Sequence, residues 1–362
     1  MTAAVREPVQ WVSELGAFVV TGFDEASAVL RGPGWSSDPR RSPLAPPELA
    51  TLPPGAMLFM DPPDHTRLRR LIAPAFAPKA IEHLRPRVAA IVAAVLDDLP
   101  STVDLLSEVG YVVPLAVIAE LLDVGTEGAG LFRAQTPRLV RMLEVDATPD
   151  DLTEATAASL EITMFLLPLL TSRRSHPGND FISALLAVPD LTLDEVLATC
   201  ILLLAAGHET TANLITNGTL ALLEHPAQLP HLLAAPASAV EELLRFTGPV
   251  RLAARVALTD HDLAGHPIPR GSQVLVRLDS ANRDPRRYPD PDRLDLTRPG
   301  PPNLAFGAGP HFCLGAALAR LEATETLTAL FTRYPTLTPT ERPIKWREST
   351  TFHGLESLPV LL

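Results

Sequence analysis

Two segments of the chain carry residue types at spacings that suit chemistry. In Phe306-Gly-Ala-Gly-Pro-His-Phe-Cys-Leu-Gly315, Cys313 stands just before an expected helix. Unpaired N–H groups and the dipole at a helix N-terminus favour a thiolate. Gly307 and Gly309 permit tight turns, and Gly315 removes a side chain where something bulky can approach the backbone. A solitary thiolate so prepared suits a nucleophile or a single axial metal ligand. Taken alone, it also reads as a buried cysteine in a glycine-rich loop. The second segment, Ala206-Gly-His-Glu-Thr-Thr211, lies within an otherwise apolar helical stretch. Glycine inside a helix costs about 1 kcal/mol relative to alanine. A threonine that follows can bond back to a carbonyl one turn earlier and bend the helix. That would set an acid, Glu209, and a hydroxyl, Thr210, in an apolar wall. A simple kink or a satisfied core polar group fits the same residues.

Two further clusters are weaker in isolation. Glu242 and Arg245 are three apart, which puts them on one helix face, where a generic surface ion pair is the ordinary reading. In Asp61-Pro-Pro-Asp-His-Thr-Arg-Leu-Arg-Arg70, the prolines precede a helix start, and His65 and Arg69 share a face at i and i+4. Such a cationic pair can bind an anion; a solvated basic turn is the alternative. No dinucleotide fingerprint follows a strand, since Gly307-x-Gly309 lacks the third glycine and runs into a cysteine.

The elements that must position these residues are mostly helical. Residues 8–40 read as short strands and turns, with Gly16–Thr21 as a strand and Phe23–Leu30 as a short helix ending near Gly32. The proline-rich segment 41–63 reads as a stiff, irregular loop. From His65 to about Arg245 helices dominate, including Ile81–Leu99, Leu105–Leu122, Asp150–Ser172 and Phe181–Leu186. One helix stands apart. Thr192-Leu-Asp-Glu195 is a capping-box pattern, and nothing stops the helix before His225-Pro226. At about 1.5 Å per residue it is about 50 Å long, and its apolar first half places it in the core. Strands are expected at Val250–Leu258, Asp262–Ile268 and Ser272–Leu278, then a coil over 282–312, a helix over Leu314–Tyr334 and a β-rich tail.

Composition narrows the function classes. The 362 residues include 30 basic and 42 acidic side chains, a formal net charge of −12, which argues against nucleic acid as a partner. All basic residues except Lys79 and Lys345 are arginine. Two cysteines, Cys200 and Cys313, cannot build a disulfide framework or a four-cysteine metal site. The 37 prolines are about twice the usual share. The longest apolar stretch, Val196–Ala206, is far shorter than the ~20 residues a bilayer requires. MTAAVREPVQ has no apolar core behind its first charge, so it does not read as a signal peptide. A cytoplasmic location without membrane insertion is therefore expected.

The cysteine segment resembles the haem-binding signature of the cytochrome P-450 family, with Phe306, Gly307, Gly309, His311, Cys313 and Gly315 at the family's spacing. Other family elements follow in the right order, and the resemblance extends from about Val9 to the C-terminus. It implies a mainly α fold with small β-sheets, a single haem-containing domain over 1–362. Within it, 8–40 and 250–280 are β-rich, 65–245 is helical, and 303–334 holds the haem-ligand loop and the helix after it. The resemblance makes Cys313 the proximal thiolate ligand of haem b, with Phe306, Gly307 and Gly315 in the cofactor loop. Glu209 and Thr210 match the acid–alcohol pair of the helix crossing the distal face, where Thr210 would hold oxygen and water and Glu209 would relay protons. Glu242 and Arg245 match the ExxR element and would lock with Arg298; Leu294-Asp-Leu-Thr-Arg298 carries leucine where members often have phenylalanine. His65, Arg69, Arg255 and His311 match the propionate-binding positions. Arg67 and Arg70 would face a redox partner. His208 is structural or substrate-facing, and Cys200 is core.

The implied activity is that of a haem-thiolate monooxygenase. It would insert one oxygen atom of O2 into a small hydrophobic substrate by hydroxylation or epoxidation, in natural-product biosynthesis. The chain leaves no room for a fused flavin or ferredoxin module, so electrons would come from an external ferredoxin and ferredoxin reductase. By family position the pocket involves the 43–60 loop, the 130–175 helices, Leu203–Glu209, Val250–Ala254 and Thr351-Phe352. Ala205, Ala206, Val250, Ala253 and Phe352 are its expected substrate contacts. The chain is expected to be a monomer. Two rivals differ in class. A peroxide-driven peroxygenase shares the haem loop but usually lacks the acid–alcohol pair, and a non-catalytic haem carrier would make no product.

Overall fold

The capping box at Thr192 forms in both directions: the Glu195 N–H donates to Thr192 Oγ1 at 3.2 Å, and the Thr192 N–H donates to Glu195 Oε2 at 3.0 Å. It starts a 32-residue helix, Leu193–Glu224. This computed structural model of the chain describes residues 7–45, 49, 55–299 and 302–362. Numbered along the chain, the helices are α1 (Phe23–Arg31), α2 (Asp64–Ile72), α3 (Pro78–Glu82), α4 (Arg85–Asp97), α5 (Val112–Leu122) and α6 (Gly125–Leu139). They continue with α7 (Pro149–Ser175), α8 (Phe181–Leu186), α9 (Leu193–Glu224), α10 (Leu229–Ala234), α11 (Pro236–Thr247), α12 (Leu278–Ala281) and α13 (Ala316–Arg333). Helix α9 packs against α5, α7, α11 and α13. Its second half is almost wholly buried, including Asn213, Thr216 and Asn217. Residues Leu202, Leu203, Ala206 and Gly207 of its first half instead border a cavity.

The strands are β1 (Val9–Val12), β2 (Ala17–Val20), β3 (Trp35–Ser36), β4 (Thr102–Asp104), β5 (Leu252–Ala257), β6 (His261–Leu263), β7 (His266–Ile268), β8 (Gln273–Arg277), β9 (Thr338–Pro339) and β10 (Pro359–Leu361). The main sheet runs β1-β2-β8-β5-β3, with β2 parallel to β8 and the other neighbours antiparallel. A smaller sheet, β4-β10-β9, ties the C-terminus to the chain before α5. The fold is mainly α with small sheets, in one domain.

Three local departures from the sequence expectations have physical causes. The helix expected at Ile81–Leu99 is divided into α3 and α4, because Pro86 lacks the N–H an interior position needs and so begins a helix. The one expected at Leu105–Leu122 begins as a π-type turn, Leu106–Gly110, in which the Tyr111 N–H reaches back to Leu106 O. Asp262–Ile268 is a hairpin rather than one strand, turning at Ala264 (φ 53°) and Gly265 (φ 80°). Helix α6 holds three glycines and draws its stability from tertiary packing, with Phe132 fully buried edge-on to Phe165 of α7. The 41–63 loop is described only in part, since 46–48 and 50–54 lie outside the described residues.

Candidate active site

The loop that carries Cys313 is anchored from three sides. The Cys313 N–H donates to Phe306 O at 2.9 Å, closing the loop on itself. At Gly309, φ is +70° and a Cβ would lie 2.3 Å from the Leu30 carbonyl, so only glycine lets the loop sit on the end of α1. Gly307 also has positive φ, +67°. The Arg320 guanidinium lies 4.5 Å over the Phe306 ring and pairs with Glu241, linking loop, α13 and α11. Gly315 borders the cavity, and a Cβ added there would meet no atom of the described residues within 4 Å. Burial pushes the Cys313 thiol up, while the Gly315 N–H and the Arg69 and Arg320 guanidiniums pull the other way.

That thiol opens onto a cavity of about 650 Å³. His65, Arg69, Arg255 and His311, distant in sequence, line the same cavity. The His65 and His311 rings stack at 3.9 Å between centroids. His65 is 1% exposed, and neither ring nitrogen has a hydrogen-bond partner among the described residues. Arg69 donates to Phe312 O at 2.6 Å and Arg255 to Ala254 O at 2.7 Å. Burial, with His65, Arg255 and Arg69 adding like charge, holds the His311 imidazole down to about 3. Burial likewise lowers His65 and brings Arg255 down to about 10. Four cationic or donor groups crowded in low dielectric call for an anionic partner. A haem, with two carboxylates and one iron position for Cys313, fits this donor set.

Across the cavity stands α9. Thr210, Ala206 and Gly207 line it, and the Thr210 hydroxyl donates to Ala206 O at 2.7 Å, the expected bond back by one turn. Glu209 does not line it. Its carboxylate is buried and paired with Arg347, which also donates to Asn213 Oδ1 at 3.2 Å. His208 is buried too, stacked on Tyr111 and donating from Nε2 to Tyr111 O at 3.0 Å. Val250, Ala253 and Phe352 line the cavity, and Val250 bridges to Phe352. Ala205 is 1% exposed and packs into the core instead, because its Cβ points about 100° away from that of Ala206. Cys200 is fully buried, its thiol pushed up to about 12. Arg67 pairs with Glu195 and donates to Asp190 O at 3.2 Å, so it braces the start of α9, whereas Arg70 is exposed.

Glu242 sits under the site in a buried cluster. Arg245 grips it with Nε to Oε2 at 2.7 Å and Nη2 to Oε1 at 2.8 Å, and Arg298 Nε reaches Oε1 at 3.0 Å. Both arginines also donate to carbonyls of the 282–293 coil, which is thereby pinned ahead of the Cys313 loop.

Two features escape sequence reasoning. The first is the strap between the α6–α7 connection, Met142–Ala147, which lines the cavity within the expected 130–175 region, and the C-terminal tail. Glu144 accepts from Ser349 Oγ at 2.6 Å and from the Thr351 N–H at 3.1 Å, and the Val145 N–H donates to Thr351 Oγ1 at 2.8 Å. Partners two hundred residues apart leave no local pattern to read. The other is Glu322, a buried carboxyl of α13 at the cavity edge, which looks from sequence like one more helix-surface acid.

Comparison with known proteins agrees with this geometry. The family model for cytochrome P-450 matches residues 235–359. The chain is 41% identical to the cytochrome P-450 monooxygenase PikC of Streptomyces venezuelae over 95% of this chain and 84% of that protein. It is 37% identical to 6-deoxyerythronolide B hydroxylase of Saccharopolyspora erythraea, over 99% of this chain and 95% of that one. Among solved structures, P450BioI in complex with an acyl carrier protein ligated to hexadec-9Z-enoic acid superposes with a TM-score of 0.91 at 36% identity, covering 98% and 95% of the two chains.

Proposed function

The chain belongs to the cytochrome P-450 family and is a monooxygenase, and on that premise we propose that it holds haem b on Cys313 and oxidises a hydrophobic natural-product intermediate by hydroxylation or epoxidation. The observation that carries this reading is the convergence of one thiol, two guanidiniums and two imidazoles on a single cavity walled by Thr210. Bound there, haem supplies the activation of O2 and its transfer to substrate, chemistry that belongs to the cofactor.

The residues of the chain bind, orient and deliver protons. Cys313 would hold the haem iron as a thiolate, a form favoured by the Gly315 N–H and the Arg69 and Arg320 charges. His65, Arg69, Arg255 and His311 would hold the two propionates, whose negative charge suits this cluster. Ala206, Val250, Ala253 and Phe352 present an apolar wall with small side chains, and that selects an apolar molecule. The Thr210 hydroxyl is the polar group of α9 that holds a proton or a water at the reacting face. Glu209, held by Arg347, feeds that hydroxyl only when it leaves the pair. Electrons come from a separate ferredoxin and ferredoxin reductase in the cytoplasm.

Spectra and turnover test this reading. The reduced, CO-bound protein should show the red-shifted Soret band of a haem thiolate, and Cys313→Ala should abolish it; persistence of the band would remove Cys313 from the axial position. Product formed with ferredoxin, reductase and O2 but not with peroxide alone separates a monooxygenase from a peroxygenase. Product of any kind excludes a haem carrier.

A further inference from the structure

Helix α7 turns an unusual face to solvent. Its inner side, with Leu152, Ala155, Ile162, Leu166 and Leu170, is buried against the core. On its outer side Leu160, Met164 and Leu167 are 59%, 68% and 41% exposed. They belong to a stripe with alternating steps of three and four residues, the spacing of a coiled-coil seam. The stripe begins at Asp150 and ends at Arg174, both exposed. It is also symmetric about Ile162. Reversing the helix there sets Leu160 against Met164, Ala157 against Leu167, Thr153 against Thr171, and Asp150 against Arg174.

We propose that α7 is a self-association surface, on which two copies of this chain pack the outer faces of α7 antiparallel about a two-fold axis level with Ile162, between Leu160 and Met164. A two-fold interface must be complementary to itself, and this stripe is: apolar at the centre, threonine next, and opposite charges at the ends. The pair forms twice in the dimer, each copy's Asp150 facing the other's Arg174. Glu161 would approach its own copy near the axis, where its charge is offset in part by Arg138 at 3.1 Å, shared with Glu154 at 2.8 Å, and its Oε2 accepts from Gln135 Nε2 at 2.7 Å. Among the described residues α7 is also the one helix long and apolar enough to cross a bilayer. The acidic flank Asp150, Asp151, Glu154 and Glu161 disfavours a lipid surface, since interfacial helices carry Lys and Arg on the polar face. One helix pair buries less than the ~800 Å² per partner of a standard interface, so association is expected in the micromolar range. The sequence alone suggested a monomer; the outer face of α7 argues for more.

Sedimentation velocity of the full chain over the micromolar range tests this at low salt, with circular dichroism as the control for folding. The wild type should pass from monomer to dimer with concentration. Asp150→Arg or Arg174→Asp alone should weaken association about tenfold by opposing like charges, and the double exchange should restore it. Met164→Glu, which leaves both charges in place, should leave monomer throughout. A wild type that stays monomeric, a dimer indifferent to Met164→Glu, or a double exchange that fails to recover overturns the proposal. So does flotation of the wild type with phosphatidylcholine vesicles that Met164→Glu abolishes while no dimer forms.

Discussion

The carboxylate of Glu209 is paired with the guanidinium of Arg347, 138 residues further along, and is turned away from the hydroxyl of its neighbour Thr210. Adjacent helical residues point about 100° apart, so one of the two faces the cavity and the other the tail of the chain. The acid and the alcohol are thus neighbours in sequence but face different surroundings, the tail and the cavity.

Arg347→Ala should destabilise the protein by about 2 kcal/mol, because it strands a buried carboxylate. That is less than the ~3–5 kcal/mol of a fully buried pair, since Arg347 is one-third exposed. Adding Glu209→Gln should return most of the loss. Urea unfolding of the two single variants and the double closes the cycle. A loss below about 0.5 kcal/mol for Arg347→Ala would reduce the pair to an ordinary surface contact.

Thr210→Ala should leave stability within about 1 kcal/mol, since the lost hydroxyl bonds within its own helix and alanine favours the helix. Its effect should fall on coupling: less product per reducing equivalent consumed and more hydrogen peroxide released. Thr210→Ser should keep most of the coupling because it keeps the hydroxyl. Peroxide and product measured in the same turnover decide the matter, and unchanged coupling in the alanine variant would place proton delivery elsewhere.

Glu144→Ala removes the acceptor that joins the α6–α7 connection to Ser349 and Thr351. Hydrogen bonds to a charged group contribute roughly 1.5–3 kcal/mol, so the strap should loosen well before the fold does. Stopped-flow measurement of ligand dissociation is expected to show release faster by about tenfold or more, with little change in the unfolding midpoint. Equal rates in variant and wild type would mean the cavity opens somewhere other than at this strap.

What was legible in the sequence divides along a physical line. Local signals were sound at the Thr192–Glu195 box and in the turn geometry of Gly307 and Gly309, properties of a few adjacent residues, whereas the periodic pattern over Ile81–Leu99 hides the equally local Pro86 start of α4. Contacts set by long-range packing were not. Arg347 gives no hint of Glu209, nor Glu144 of Thr351, and the rotation that buries Ala205 while exposing Ala206 depends on how α9 sits against α5 and α13. Glu242 illustrates the boundary. Its spacing from Arg245 is compatible with a surface pair, and only its burial with Arg298 distinguishes a pinned coil from a solvated one.

Glu322 offers a last test, on stability and pH. Burial raises its carboxyl well above the usual 4.5, so the folded protein holds a proton that the unfolded chain releases. Between the unfolded and the folded values the unfolded state binds fewer protons, and stability falls as pH rises. Below about pH 4 both states are protonated and the penalty vanishes. Glu322→Gln carries a neutral group of nearly the same shape into the same site. It should therefore raise stability at neutral pH and converge with the wild type as pH falls through 4.5. Denaturant unfolding at several pH values checks this. A glutamine variant with the same advantage at pH 4 as at pH 7, or with none at either, would show that Glu322 is not held protonated by its burial in α13.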